Sequence, residues 1–184
     1  MTDEKTAVAA VAGLMALAAR TAPKAKGVDT IIVRVLGTKD LKKLADAMSA
    51  YGKSHRLAFF LRDAQNILAS DACIIIGAKG DTTVGIDCGA CGFATCAEMA
   101  KERKKRKKRT TPFSGPNCAV RMADLGIAVG SSVKTAQNHN VDNRVMYTGG
   151  SAAVALGLLG KDCTVAYAIP LSATGKNIFF DRTV

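Results

Sequence analysis

The sequence predicts an α+β fold. A small mixed β-sheet is flanked by helices in one domain over residues 1–184, with residues 86–118 inserted as a four-cysteine segment. Three observations predict it. Apolar residues recur at helical spacing in several long stretches. Short β-branched runs fall between them. The two kinds of element mix without a strict strand–helix–strand repeat, which points to an α+β or three-layer arrangement. A chain of 184 residues suits one domain, and 48% hydrophobic residues can furnish its core.

Residues 4–20 read as a helix, because Val8, Val11, Met15 and Ala18 recur at helical spacing and alanine dominates. Pro23 and Gly27 end it. Residues 30–36 are β-branched and read as a strand. Thr38 can cap a second helix that turns Leu41, Leu44, Ala45 and Met48 inward and stops at Gly52. Residues 57–69 read as a third helix. Residues 73–78, with three adjacent isoleucines, read as a strand buried on both faces. Beyond the cysteine segment, residues 119–137 predict a long helix whose apolar stripe includes Val120, Ala123, Ile127 and Val133. Gly126 and Gly130, four apart, would permit close helix contact. Residues 144–159 predict a helix interrupted at Gly149-Gly150, residues 164–169 a strand, and residues 178–180 a short last strand.

The formal net charge of +11 is unevenly spread. Lys101 to Arg109 holds eight cations and one anion, so a single run supplies +7 and the remaining chain +4. No apolar stretch approaches the ~20 residues that span a bilayer. The polar, acidic start ahead of an alanine-rich helix has the wrong order for a signal peptide, so a cytoplasmic protein in a reducing compartment is expected. Cys73 and Cys163 lie in apolar runs and read as inert core residues.

The chemistry concentrates in Asp87-Cys88-Gly89-Ala90-Cys91-Gly92-Phe93-Ala94-Thr95-Cys96, followed at a distance by Gly115-Pro116-Asn117-Cys118. Thiolates are soft ligands, and four of them suit zinc or an iron–sulfur cluster. Structural zinc sites usually pair two short knuckles. Here there is one Cys-x-x-Cys knuckle and two isolated cysteines. That spacing favours a larger inorganic core approached at separate corners, and a [4Fe–4S] cluster on Cys88, Cys91, Cys96 and Cys118 is the leading reading. Gly85, Gly89 and Gly92 allow the tight turns that aim backbone N–H groups at sulfur. The plant-type [2Fe–2S] order has the two short gaps reversed. Disulfides are the weakest reading, because no secretory signal is present.

Cys-Gly-x-Cys-Gly-x-x-x-Cys with a remote fourth cysteine resembles the four-cysteine [4Fe–4S] domain of the B subunit of Rnf-type electron-transport complexes and of corrinoid iron–sulfur proteins. That resemblance covers about residues 87–118. The whole chain is similar to an anaerobe family described as ferredoxin-domain-containing. The supporting segments are Ala18-Ala19-Arg20-Thr21-Ala22-Pro23-Lys24, Asp124-Leu125-Gly126-Ile127-Ala128, Val141-Asp142-Asn143-Arg144 and Gly175-Lys176-Asn177. A further resemblance, over Leu17 to Val33, Asp124 to Leu158 and Ile169-Pro170-Leu171, is to nitroreductases. It implies their scaffold, FMN as a candidate cofactor, and a homodimer, since that family binds FMN at a dimer interface. Its N-terminal Arg-x-Ser-x-Arg phosphate clamp has no counterpart before the first helix.

The basic run should leave the cysteines as a helix over residues 97–109 and return over residues 110–117, so that Cys118 reaches the other three. Its charge suits a solvated helix face or a docking surface for an acidic redox partner. Nucleic-acid binding ranks below both, because the run has no aromatic residue for base stacking. Asp142-Asn143-Arg144 and Lys176-Asn177 either line a ligand pocket with Arg20 and Lys24 or, the favoured reading, cap helices and pair internally. Gly149-Gly150-Ser151 is either an anion cradle or a close-packing site. His55 and His139 have no partnering nucleophile and read as surface or capping residues. The expected function is a [4Fe–4S] electron-transfer protein. The alternatives are an oxidoreductase of nitroreductase type that uses flavin, and a zinc-stabilised nucleic-acid module.

Overall fold

The computed structural model describes residues 3–105 and 111–180. In chain order the elements are α1 (Asp3–Thr21), β1 (Ile31–Leu36), α2 (Thr38–His55), α3 (Ala58–Leu68), β2 (Ala72–Ala78), α4 (Cys96–Lys105), α5 (Ala119–Asn138), β3 (Asp142–Asn143), α6 (Tyr147–Ala155) and β4 (Val165–Ser172). The strands form one sheet in the order β1-β2-β4-β3. Helices cover both faces, which makes the α+β architecture three-layered.

Every pairing in the sheet is antiparallel, with Val33 opposite Ile76, Ile74 opposite Ile169, and Asp142 opposite Ser172. The expectation of a mixed sheet is corrected on this point. The cause is the connection between β1 and β2. A single crossover helix would return the chain to the end where it started, giving a parallel neighbour. Two helices, α2 and α3, lie between these strands, so the chain enters β2 from the opposite end.

All seven residues of β2 are buried, as the isoleucine run predicts. The period of two divides them. Ile74 and Ile76, with Ile169 and Leu171 of β4, face α1 and α5 through Val8, Ala12, Met15, Leu125 and Ala128. Cys73 and Ile75, with Ala166 and Ala168, face α2, α3 and α6 through Leu44, Met48, Phe60 and Ile67. Each fully buried isoleucine contributes roughly 1.5–3 kcal/mol. Burial pushes the Cys73 thiol up to about 12, so it stays protonated and unreactive. Cys163 is buried as well.

Several local expectations change. Gly52 does not end α2; the helix runs on to His55 and closes at Arg56 in the left-handed region (φ 56°). The missing side chain at Gly52 is what allows Phe60 and Leu61 of α3 to approach. The inward face of α5 is Arg121, Asp124, Leu125, Ala128, Val129, Ser132 and Ala136, while Ala123 and Ile127 are exposed. A count of apolar residues misplaces this stripe because the helix buries a charged pair. Gly149 and Gly150 lie inside α6, where it presses on β4. Residues 178–180 form a turn held by Asn177 Oδ1, which accepts from the N–H groups of Phe179 (3.0 Å) and Phe180 (3.2 Å). Among the described residues no helix is long and apolar enough to cross a membrane.

Candidate metal centre

Between β2 and α5 the chain leaves the sheet, carries the first three cysteines, makes α4 and returns to Cys118. The loop from 81 to 95 is shaped by residues of positive φ: Gly85 (72°), Asp87 (46°), Gly89 (72°) and Gly92 (85°). The three glycines are those the sequence marks for tight turns. The Gly92 N–H bonds the Gly89 carbonyl at 2.9 Å, closing a turn around Cys91. Asp87 tolerates its left-handed backbone and accepts the Cys96 N–H on Oδ1 at 2.7 Å, tying the start of α4 to the first cysteine. Thr95 and Glu98 form a reciprocal cap at that helix start. The Glu98 N–H donates to Thr95 Oγ1 (3.2 Å), and the Thr95 N–H to Glu98 Oε2 (3.4 Å).

α4 ends its described course at Lys105, and the expected continuation to Arg109 lies outside the described residues. The chain comes back through Thr111 to Asn117. Cys118 then occupies the N-cap of α5 and donates its N–H to the Gly80 carbonyl at 2.7 Å. Gly80 in turn donates its N–H to Thr164 Oγ1 at 3.0 Å. The remote cysteine is thereby fastened to the exit of β2, next to the loop that carries its companions.

All four cysteines line one recess, together with Thr83, Val84, Phe93 and Met99. Cys88 is exposed, Cys91 and Cys96 are half-buried, and Cys118 is buried. A separate small apolar cluster of Val84, Met99 and Cys118, with Ala25, Phe93 and Val120 packed on it, forms the inner wall. Among the described residues no group of three or more His, Cys, Asp or Glu side chains is set to hold a metal ion. The donors fit a polynuclear group in kind: four soft sulfurs line one recess.

Two arginines brace this centre. Arg103 of α4 donates from Nε to Asp81 Oδ2 (3.3 Å) and from Nη1 to the Gly115 carbonyl (3.1 Å), so it joins the outgoing and returning strands of the excursion. Arg121 of α5 is buried and bonds the carbonyls of Thr82, Ala25 and Val28. Of the basic run, then, Arg103 is a brace and Lys105 pairs with Glu102, while Lys101 and Lys104 are exposed.

The other polar groups pair internally, as the favoured reading has it. Arg20 bonds Asp29 and the Ile31 carbonyl, and Lys24 bonds the carbonyls of Arg20 and Ala22. Burial of Asp29 opposes its ionisation, but the Ile31 N–H and the Arg20 guanidinium outweigh that and hold its carboxyl below the usual range. Asn177 Nδ2 donates to Asp142 Oδ1, and Arg144 stacks over Phe180. His55 stacks on Tyr51 at the exposed end of α2, and His139 caps α5. Sequence reasoning missed Gly80, Asp87, the Thr95–Glu98 cap and the two bracing arginines. Of these the Thr-x-x-Glu pattern was readable. The rest depend on partners remote in sequence.

Solved structures that superpose on this chain include nitroreductases. Nitroreductase A of Vibrio parahaemolyticus superposes with a TM-score of 0.53 at 8% identity, over 96% of this chain and 60% of that one. A nitroreductase family protein of Streptococcus pneumoniae gives 0.56 at 10% identity, over 95% and 84%. The NADPH:FMN oxidoreductase of Vibrio harveyi, solved with NAD+, gives 0.54 at 10% identity, over 96% and 62%. The chain thus has a nitroreductase-like fold and spans about 60% of the first of these enzymes. In sequence it is 45% identical over 169 residues to an uncharacterized protein of Archaeoglobus fulgidus, covering 92% of this chain and 88% of that one. The family model "Uncharacterized protein containing a ferredoxin domain (DUF2148)" matches residues 114–182, and the family model "Putative Fe-S cluster" matches residues 85–110. The chain belongs to this ferredoxin-domain-containing family.

Proposed function

We propose that the protein holds one [4Fe–4S] cluster on Cys88, Cys91, Cys96 and Cys118 and transfers single electrons. The observation that carries this reading is the arrival of four cysteines, from a loop, a helix start and a remote N-cap, at one recess. When bound, the cluster supplies a one-electron couple tuned by hydrogen bonds, charge and exposure. The protein's part is to present four thiolates and to keep water from the inner side with Val84, Phe93 and Met99. Exposed Cys88 and Ile86 mark the outward side, where an electron would enter and leave. Anaerobic purification or reconstitution tests the reading. A brown protein with about four iron and four sulfide per chain and an EPR signal after dithionite reduction is expected. Colourless protein with stoichiometric zinc would refute it.

The fold likeness favours a second reading, a reductase in which the cluster feeds a flavin. The internal pairing of Arg20 and Lys24 argues against a phosphate site there. Flavin absorbance in the same anaerobic preparation would establish this alternative over a simple carrier.

A second copy of the chain is the occupant this reading places on α1 and α5. The two helices run antiparallel on one face of the sheet: the Ala25 N–H meets Asp124 at one end, and Glu4, Lys5 and Asn140 share a pocket at the other. Their outer surfaces carry Ala9, Ala10, Gly13, Leu14 and Leu17 beside Ala123, Gly126, Ile127 and Gly130, with no charge from residues 6–19 and only the buried Arg121 and Asp124 within residues 119–133. In a chain of net charge +11, two copies repel least across such a face. Two helices ~30 Å long and ~10 Å wide cover roughly 600 Å² per copy, about 1,200 Å² in all, the lower end for a stable pair. Sedimentation at micromolar concentration is expected to show a dimer that Ile127→Glu converts to monomer. A wild-type monomer under those conditions would exclude self-association.

A further inference from the structure

Among the described residues Arg121 is the largest fully buried side chain, 2% exposed, and it stands one turn beyond Cys118. Its Nε donates to the Thr82 carbonyl at 3.3 Å. Its Nη1 faces the carbonyls of Ala25 (3.2 Å) and Val28 (3.1 Å) and Asp124 Oδ2 (2.9 Å). Asp124 is equally buried, and its Oδ1 accepts the Ala25 N–H at 2.9 Å. The pair therefore joins three segments: the turn after α1, the loop that leads to the first cysteine, and the start of α5. Thr83 and Val84, next to Thr82, line the recess, as do Cys118 and Ala119.

Burying a guanidinium is costly, and well-packed apolar residues often hold a core as well as an ion pair does. A buried cation placed beside the four-cysteine recess therefore calls for a reason beyond packing. We propose that Arg121 and Asp124 are a positioning and charge-setting pair for that centre. The inference rests on the four-cysteine reading above. Arg121 clamps the cysteine loop against α5, so that Cys118 faces the other three. Its charge is poorly screened by solvent and favours whichever state of the centre is more negative. One-electron reduction adds one negative charge and breaks no bond, so Arg121 favours the reduced state and Asp124 opposes it.

The opposite signs supply the test. The protein, reconstituted anaerobically, is titrated against redox dyes and its midpoint potential read by EPR. Asp124→Asn keeps the shape and the acceptor for Ala25 but removes the anion, and the potential is expected to rise. Arg121→Met removes the cation, and the potential is expected to fall. Arg121→Lys keeps the charge without the fork; its potential is expected to stay near wild type while the cluster is lost faster in air. A purely structural pair would lower stability in both variants without opposed shifts. If wild type loads its cluster and Asp124→Asn leaves the potential unmoved, or shifts it downward, the inference is overturned while the four-cysteine reading stands. If Arg121→Met fails to load, Asp124→Asn alone decides. Failure of wild type to load a cluster would instead sink the underlying reading.

Discussion

Cys118→Ala is expected to reduce bound iron to less than half the wild-type content while leaving the fold intact. One of the four proposed cluster ligands is removed, and it is the one that arrives from outside the loop. An alanine there keeps the N–H that bonds the Gly80 carbonyl and the helix start that follows, so circular dichroism should not change. The lost side chain is small, and its removal should cost about 1 kcal/mol, on the scale of a buried methylene. Iron analysis and EPR beside wild type give the answer. Equal iron and an identical signal would show that Cys118 is no ligand. Gly80→Ala should act in the same direction through position alone. An added methyl would stand 2.6 Å from Asn117 Oδ1, 2.6 Å from Thr164 Oγ1 and 2.7 Å from Met122 Cε. Those groups surround the backbone that fastens Cys118, so the variant is expected to bind its cluster and lose it faster in air.

Gly150→Ala should be the most damaging single methyl in the chain. Its Cβ would lie 1.9 Å from the Ala166 carbonyl oxygen and 2.7 Å from the Tyr167 Cα. Neither is the mobile end of a side chain. Both belong to β4, whose residues Ala166 and Tyr167 pair with Gly77 and Ile76 of the buried strand β2. Relief requires α6 to lift off the sheet, which would open the core around Ala168, Met48 and Ile67. Overpacking ordinarily costs about 1–3 kcal/mol, and a backbone obstacle places this case above ~3 kcal/mol. With a domain stability of roughly 5–15 kcal/mol, much of the folded margin would go. A urea midpoint indistinguishable from wild type would contradict the contact.

The two glycine substitutions show where sequence reading stops. Gly149-Gly150 reads along the chain as an interruption of a helix, since glycine is a weak helix former. In the fold the same residues sit inside α6, and the strand beneath them supplies the reason. Gly80 carries no local signal, because its neighbours Asn117 and Thr164 lie far away in sequence. The stripe of α5 is misjudged for a related cause: a count of apolar residues cannot foresee that Arg121 and Asp124 go inside as a pair. The inward faces of α1, α2 and β2, by contrast, follow from periodicity, because their burial is uniformly apolar.

What the sequence by itself determined is the side-chain chemistry and the local turns: the cysteine sulfurs, the short gaps between Cys88, Cys91 and Cys96, and the glycines at 85, 89 and 92 that take positive φ. These are properties of a few adjacent residues, and neighbouring covalent geometry is enough to express them. Only the tertiary structure decided that Cys118 comes to the same recess, that the sheet is antiparallel throughout, and that a buried arginine braces the cysteine loop. Each of those depends on contacts between segments tens of residues apart, and such contacts form only when the helices close over both faces of the sheet.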